Sequence, residues 1–209
     1  KLYVKILIII CILLTIGFLY WYFCIKNEKY FNEPLFHPHY DIRYYKQTLS
    51  ISEIQVKLKD MFTILTKFLT KFNVKCWLLF GTLLGYYRDG DMIPWDDDID
   101  VGILFNDLNN LPQKYDIDGK YMWDRNPDAR PCYHDSNNIV IARLICMETG
   151  VFIDIFGQCI NRDKVMSSGG DIWDKNDIFP LIQTVFLDNI VYVPQNTKQV
   201  LLDVYKNLD

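Results

Sequence analysis

The chain is predicted to fold as an α/β (α+β) domain, a mixed sheet with flanking helices, preceded by one N-terminal transmembrane helix. Three observations carry the prediction. The chain opens on an uncharged apolar stretch, Ile6 to Ile25. An amphipathic helical period follows from Ile54 to Phe72. Beyond it, short apolar runs bounded by turn residues alternate with shorter helical patterns.

At about 1.5 Å per residue, residues 6–25 span a bilayer core of ~30 Å. Tyr20, Trp21 and Tyr22 form an aromatic belt at the far end. A cleaved signal peptide would be shorter and would end in small residues, so these bulky aromatics favour an uncleaved anchor. Flanking charges (Lys1 and Lys5 against Lys26 and Lys29 less Glu28) weakly favour a cytoplasmic N-terminus, giving a single-pass type II membrane protein. The expected division is an anchor at 1–25, a stem at 26–50 and a domain at 51–209. Net charge is −4; the first thirty residues carry +3, which leaves −7 on the rest and argues against a nucleic-acid partner. The six cysteines contain no C-x-x-C pair, so no structural zinc site is expected. Cys76, Cys132, Cys146 and Cys159 are open to disulfides or to buried thiols.

Each element has its own signal. The stem has no clean period, and His37 and His39 read as linker residues with no third ligand nearby. Ser50-Ile51-Ser52-Glu53 fits a capping box, after which Ile54, Leu58, Met61, Phe62, Leu65, Phe68, Leu69 and Phe72 recur at helical spacing. Cys76 to Phe80 reads as a buried strand ending at Gly81-Thr82. Leu83 to Tyr87 is a short helix, and Gly90 breaks it. An acidic strand is expected at about 98–105. Pro112, Pro127 and Pro131 mark 106–138 as loop-rich, and 157–180 reads as a variable loop. Ile139–Cys146 and Val151–Phe156 form a hairpin around Glu148-Thr149-Gly150. Ile190–Val193 is a last strand. Pro194 and Asn196 open a helix whose stripe is Val200, Leu201, Val204 and Tyr205.

The chemistry concentrates in Asp96-Asp97-Asp98-Ile99-Asp100, which lies between Ile93-Pro94-Trp95 and Val101-Gly102-Ile103. Like charges at that density repel, and burying them costs several kcal/mol unless something neutralises them. A divalent cation is the natural answer. The D-x-D-x-D-G calcium loop is not met, because Ile99 and Val101 replace its polar and Gly positions. In an extended segment Asp96 (unless it lies in the preceding loop), Asp98 and Asp100 share one face, with Gly102 leaving space beside them, while Ile99, Val101 and Ile103 face the core. Asp97 falls on the apolar side or in the loop, expected to cap or form a salt bridge. A further carboxylate, Asp154, sits in the apolar strand Phe152-Ile153-Asp154-Ile155-Phe156. It either pairs with Arg143 on the neighbouring strand or faces the Asp98/Asp100 site.

A strand ending in Gly-Thr, a short helix, a D-x-D strand and a third Asp together resemble the nucleotidyltransferase fold. The run Phe80-Gly81-Thr82-Leu83-Leu84-Gly85, Arg88, then Ile93-Pro94-Trp95-Asp96-Asp97-Asp98-Ile99-Asp100 is similar to the signature of the LicD / fukutin family. Arg143-Leu144, Phe152–Phe156, Phe179-Pro180-Leu181, Val191–Pro194, Leu201 and Tyr205 extend the resemblance over about 50–209. The resemblance implies a metal-dependent phosphotransferase that moves a phospho-alcohol (ribitol phosphate or phosphocholine) from a CDP-activated small alcohol to a glycan acceptor. It implies Mg²⁺ or Mn²⁺ on Asp98, Asp100 and Asp154, with Asp96 accessory, and Asp154 as ligand or base. Gly81 and Thr82 would meet the donor phosphates. Arg88 is a phosphate partner or a salt bridge to Asp89 or Asp91, and Arg143 a phosphate partner or the mate of Asp154. It also implies a Golgi or endoplasmic-reticulum lumen location, in agreement with the apolar stretch. Against it stand a D-x-D glycosyltransferase, a nucleotidyltransferase releasing pyrophosphate, and a non-catalytic membrane-anchored scaffold.

Overall fold

A computed structural model of the chain describes residues 3, 10–17, 19, 29–35, 39–131 and 137–208. Of the expected anchor, residues 3, 10–17 and 19 are helical, and the remainder lies outside the described residues. Among the described residues no helix is long and apolar enough to cross a membrane. His37, Cys24 and Cys132 also lie outside them, while Cys76, Cys146 and Cys159 are buried.

Helix α1 (Ile51–Lys71) starts as its sequence predicts. Ser50 Oγ accepts the Glu53 N–H, and the Glu53 carboxylate accepts the Ser50 N–H at 2.8 Å. Its apolar stripe, from Ile54 to Leu69, is buried against strands β5, β6 and β10 of one mixed sheet. The strands are β1 (Cys76–Leu78), β2 (Asp100–Leu104), β3 (Lys114–Ile117), β4 (Tyr121–Arg125), β5 (Val140–Cys146), β6 (Phe152–Asn161), β7 (Lys164–Ser167), β8 (Ile172–Asp174), β9 (Ile182–Phe186) and β10 (Asn189–Val193). The main order is β3-β4-β5-β6-β2-β1-β10-β9, and β7 and β8 extend from β6. Among the described residues, only the β1–β10 and β2–β6 pairs are parallel. Helix α2 (Phe80–Asp89) connects β1 to the acidic loop, α3 (Lys175–Ile178) follows β8, and α4 (Thr197–Tyr205) packs on α2 and α3.

Several expectations need correction. β1 stops at Leu78, and α2 begins at Phe80, so Gly81 and Thr82 belong to the first helical turn rather than to a turn before it. Residues 106–138 contain a 3₁₀ helix (Phe105–Asn110) and the β3–β4 hairpin, not chiefly loop. Asp118 and Gly119 supply that hairpin with positive φ at both central residues, 58° and 66°. Strands β7 and β8 and helix α3 likewise fill the segment read as variable loop at 157–180. The described part of the stem is packed rather than free. Phe31 and Tyr40 are buried in the core, and Tyr40 bridges Val151. Arg43 clamps it down by pairing with the buried Asp41 and Asp124, at 2.7 Å each.

Candidate active site

Strand register builds the site. Parallel β2 and β6 set Asp100 opposite Asp154, and antiparallel β5 sets Arg143 opposite Asp154. Opposed residues on paired strands point to one face. Arg143, Asp154 and Asp100 therefore form a row across three strands. The strand itself starts only at Asp100; Asp96, Asp97 and Asp98 lie in the loop before it, so the expected alternation of Asp96 and Asp98 along a strand is not what gathers them. The apolar half of that expectation is met, since Ile99, Val101 and Ile103 are fully buried. Gly102 leaves no open space, because Trp77, Leu79 and Gln158 already crowd its α-carbon.

The β1–α2 junction holds the end of the row. Thr82 Oγ accepts the Asp100 N–H at 2.9 Å, and the Leu79 N–H donates to the Asp100 carbonyl at 3.1 Å. Phe80 makes the turn at a φ of 44°, a region costly for a bulky residue. Beside it, a Cβ on Gly81 would lie 3.0 Å from Asp96 Oδ2, so this glycine lets the Asp96 carboxylate sit against the helix. Leu83 makes the helix's first bond, to the Leu79 carbonyl, which leaves the Gly81 and Thr82 N–H groups without an intrahelical acceptor. From α1, Gln55 Nε2 donates to the carbonyls of Ile93 (2.9 Å) and Asp96 (2.8 Å) and pins the acidic loop.

The carboxyls press on one another. Asp96, Asp97 and Asp98 each offer an oxygen within 4.8 Å of the other two. Burial, with Asp98 and Asp97 close by, pushes Asp96 up to about 7. Asp100 is raised well above the ordinary carboxylate range by burial and by Asp98, Asp154 and Asp96. Burial also raises Asp98 and Asp154, with His39 opposing it for Asp98 and Arg143 opposing it for Asp154. Tyr205, at the end of α4, is pushed up to about 12 by burial and the facing Asp100, Asp96 and Asp98. Hard oxygen donors crowded to this degree fit Mg²⁺ or Mn²⁺. That oxygen cluster includes Asp97, which the sequence assigns to a cap or salt bridge rather than to metal; Asp97 Oδ1 also lies 2.7 Å from His39 Nδ1.

Arg143 is held in the row through two of its nitrogens, while its buried Nη1 has no hydrogen-bond partner among the described residues. The residue is 1% exposed, donates from Nε and Nη2 to Asp154 at 2.6 and 3.3 Å, and donates from Nη2 to Glu33 at 2.6 Å. Phe152 and Phe31 cover its guanidinium. Of the two roles weighed for it, the mate of Asp154 is the one the structure holds. Arg88 is not brought to the row: it sits in the last turn of α2 and pairs with Asp89 at 3.3 Å. A cleft of about 270 Å³ opens over the row, lined by Glu33, His39, Asp98, Asp100, Arg143 and Asp154 among others. Glu33, His39 and Gln55 were missed from sequence.

A mixed-sheet α/β domain whose register and helix start gather carboxylates at one cleft is the class this fold and site define. The profile of the LicD/FKTN/FKRP nucleotidyltransferase domain matches residues 73–196, more than half of the chain. The chain belongs to that family. Mannosyltransferase regulator 4 of Saccharomyces cerevisiae is 29% identical over 133 residues, 57% of this chain and 11% of the yeast protein. Human ribitol 5-phosphate transferase FKRP is 51% identical over 41 residues, 20% of this chain and 8% of the human one. An uncharacterized Rickettsia typhi protein, RT0683, is 30% identical over 155 residues, 71% of this chain and 43% of that protein. The chain thus matches about a tenth of the yeast and human proteins' length and under half of the rickettsial one.

Proposed function

We propose that this chain is a divalent-metal-dependent phosphotransferase. It moves a phospho-alcohol of the ribitol phosphate or phosphocholine type from a CDP-activated donor to a glycan hydroxyl. The acceptor oxygen forms a bond to the distal phosphorus, the bond to the CMP oxygen breaks, and CMP leaves. The observation that carries the reading is the Asp100–Asp154 register beside Asp98 at the start of α2. Asp98 and Asp100, with Asp96 and Asp154, would hold Mg²⁺ or Mn²⁺. Such an ion supplies charge neutralisation for the diphosphate and the leaving group. The first-turn N–H groups of Gly81 and Thr82 bind donor phosphate oxygens. Arg143 keeps Asp154 aimed along the row.

The proposal includes location. Residues 6–25 anchor the chain as a type II membrane protein of the Golgi or endoplasmic reticulum. Lys29 lines the cleft and is four residues past Ile25. At ~3.5 Å per residue, whatever the conformation between them, that wall lies within ~14 Å of the apolar stretch. On this reading the acceptor glycan is met at the bilayer surface.

The test is a donor panel on the full chain in detergent. Metal-dependent CMP release from CDP-ribitol or CDP-choline, lost in Asp98→Ala/Asp100→Ala, is the expected result. UDP release from UDP-sugars instead would identify a glycosyltransferase, and pyrophosphate from CTP a nucleotidyltransferase. A second reading, a membrane-anchored regulator of other glycan enzymes, is favoured by the name of the yeast relative. It predicts that the double Asp variant still rescues a null strain.

A further inference from the structure

The family match begins at residue 73, yet the site is reached by a strap from far upstream. The strap is docked at several points. The Asp41 N–H donates to the Gly150 carbonyl at 2.8 Å, and Tyr40 pairs with Val151. Gly150 has a φ of +84°, and a Cβ there would come within 2.9 Å of the Tyr45 nitrogen and 3.0 Å of the Asp41 carbonyl. The strap therefore closes onto a position that has no room for a side chain. Further upstream, Glu33 accepts from Arg143.

His39 lies between those contacts with a φ of 72°, left-handed backbone that a non-glycine residue adopts only when its surroundings hold it there. The result is that its ring faces the acidic loop. Nδ1 is 2.7 Å from Asp97 Oδ1, and Nε2 is 3.7 Å from Asp98 Oδ2. A carboxylate accepts only, so the Nδ1–H donates to Asp97. Gln55 holds the same loop from the other side through its carbonyls. The loop is thus gripped by its main chain from α1 and by its side chains from the strap.

We propose that His39 is a positioning residue of the metal centre. Through Asp97 it fixes the loop so that Asp98 turns into the cleft beside Asp100 and Asp154. The strap therefore completes a site whose ligands all lie within the family domain. Groups that hold a ligating carboxylate typically matter to metal affinity by about 10–100-fold. The inference rests on the metal-dependent reading above.

The probe is Mn²⁺ alone, titrated into the full chain in detergent and followed by electron paramagnetic resonance. His39→Ala is expected to weaken Mn²⁺ binding by about 10–100-fold. His39→Asn, whose side-chain amide offers a donor near the Nδ1 position, is expected to recover most of the loss. Metal-free melting temperatures of the two variants serve as the folding control. Mn²⁺ binding by a folded His39→Ala within twofold of wild type overturns the inference and leaves the metal reading standing. Imidazole nitrogen modulation on bound Mn²⁺ in the wild type, absent from His39→Ala, also overturns it, because His39 would then be a ligand. If the wild type binds no Mn²⁺ at all, the metal reading itself fails and the inference with it.

Discussion

Arg143 and Asp154 offer a direct measurement of the force that holds the row together. Their charges lie about 4 Å apart, which at an effective dielectric of ~20 is worth roughly 4 kcal/mol. Arg143 is 2% exposed at its side chain and Asp154 15%, so solvent screens the pair little. Arg143→Met keeps a long apolar chain between Phe31 and Phe152 but leaves Asp154 without its counter-charge. Breaking a buried pair from one side costs about 3–5 kcal/mol. For a domain of this size that lowers the melting temperature by on the order of 10 °C. In Arg143→Met/Asp154→Asn, where Glu33 at the edge of the cleft is the one carboxylate left without its partner, most of the loss should return, for a coupling energy of about 2–4 kcal/mol. The assay is urea unfolding of wild type, both single variants and the double variant, without metal. Additive losses, within ~0.5 kcal/mol, would refute the argument that Arg143 exists to neutralise Asp154.

Three further outcomes follow from the same geometry. Without metal, stability should fall as pH rises from about 4 to about 7. The folded protein holds protons on Asp96, raised to about 7, and on Asp98, Asp100 and Asp154, also raised, after the unfolded chain has released them near 3.8. Melting temperatures across that range check it; Asp96→Asn should flatten the slope, and Mg²⁺ should protect more at pH 8 than at pH 5. Gly81→Ala and Gly85→Ala should behave differently. At Gly81 the added Cβ meets only the movable Asp96 carboxylate at 3.0 Å, so thermal stability should hold while Mn²⁺ affinity drops several-fold. At Gly85 it meets the Asp91 carbonyl at 2.6 Å and the Ile93 nitrogen at 3.1 Å, and overpacking against backbone should cost about 1–3 kcal/mol or more. Gln55→Ala strips two hydrogen bonds from the acidic loop, and should cost about 1–3 kcal/mol in urea unfolding and speed amide hydrogen exchange at Asp96–Asp98.

What the sequence revealed depended on how local the cause was. Helix α1 was legible because its cap and its stripe are both written within 22 residues. The hairpin of β5 and β6 was legible because both strands are apolar and a Gly turn joins them. That Asp154 meets Arg143 followed from that hairpin. That it also meets Asp98 and Asp100 needed the parallel β2–β6 pairing, which residue chemistry implied and only the fold could settle. The β3–β4 hairpin was overlooked although Asp118-Gly119 announces it, because β3 is exposed and polar and three prolines nearby read as loop. His39, Glu33 and Gln55 were not legible as site residues. Their partners lie 58, 110 and 41 residues away, beyond any pattern that periodicity can register.

The division between ligands and holders has a physical reason. Ligands to one cation must share a point in space, and a short run such as Asp96–Asp100 would bring most of the proposed ones together at little loop-closure cost. The same crowding makes that run repel itself, so nothing within it can hold it in shape. Restraint has to come from elements that gain by docking elsewhere. Helix α1 lends Gln55 while burying its apolar stripe, the strap lends His39 while seating Tyr40 and Asp41, and β5 lends Arg143 while pairing with β4 and β6. The docking of those elements offsets the repulsion of the site before any cation arrives. A substitution far from the acidic run in sequence, at Gly150 or Arg43, should therefore reach the proposed metal centre through the strap rather than through the proposed ligands themselves.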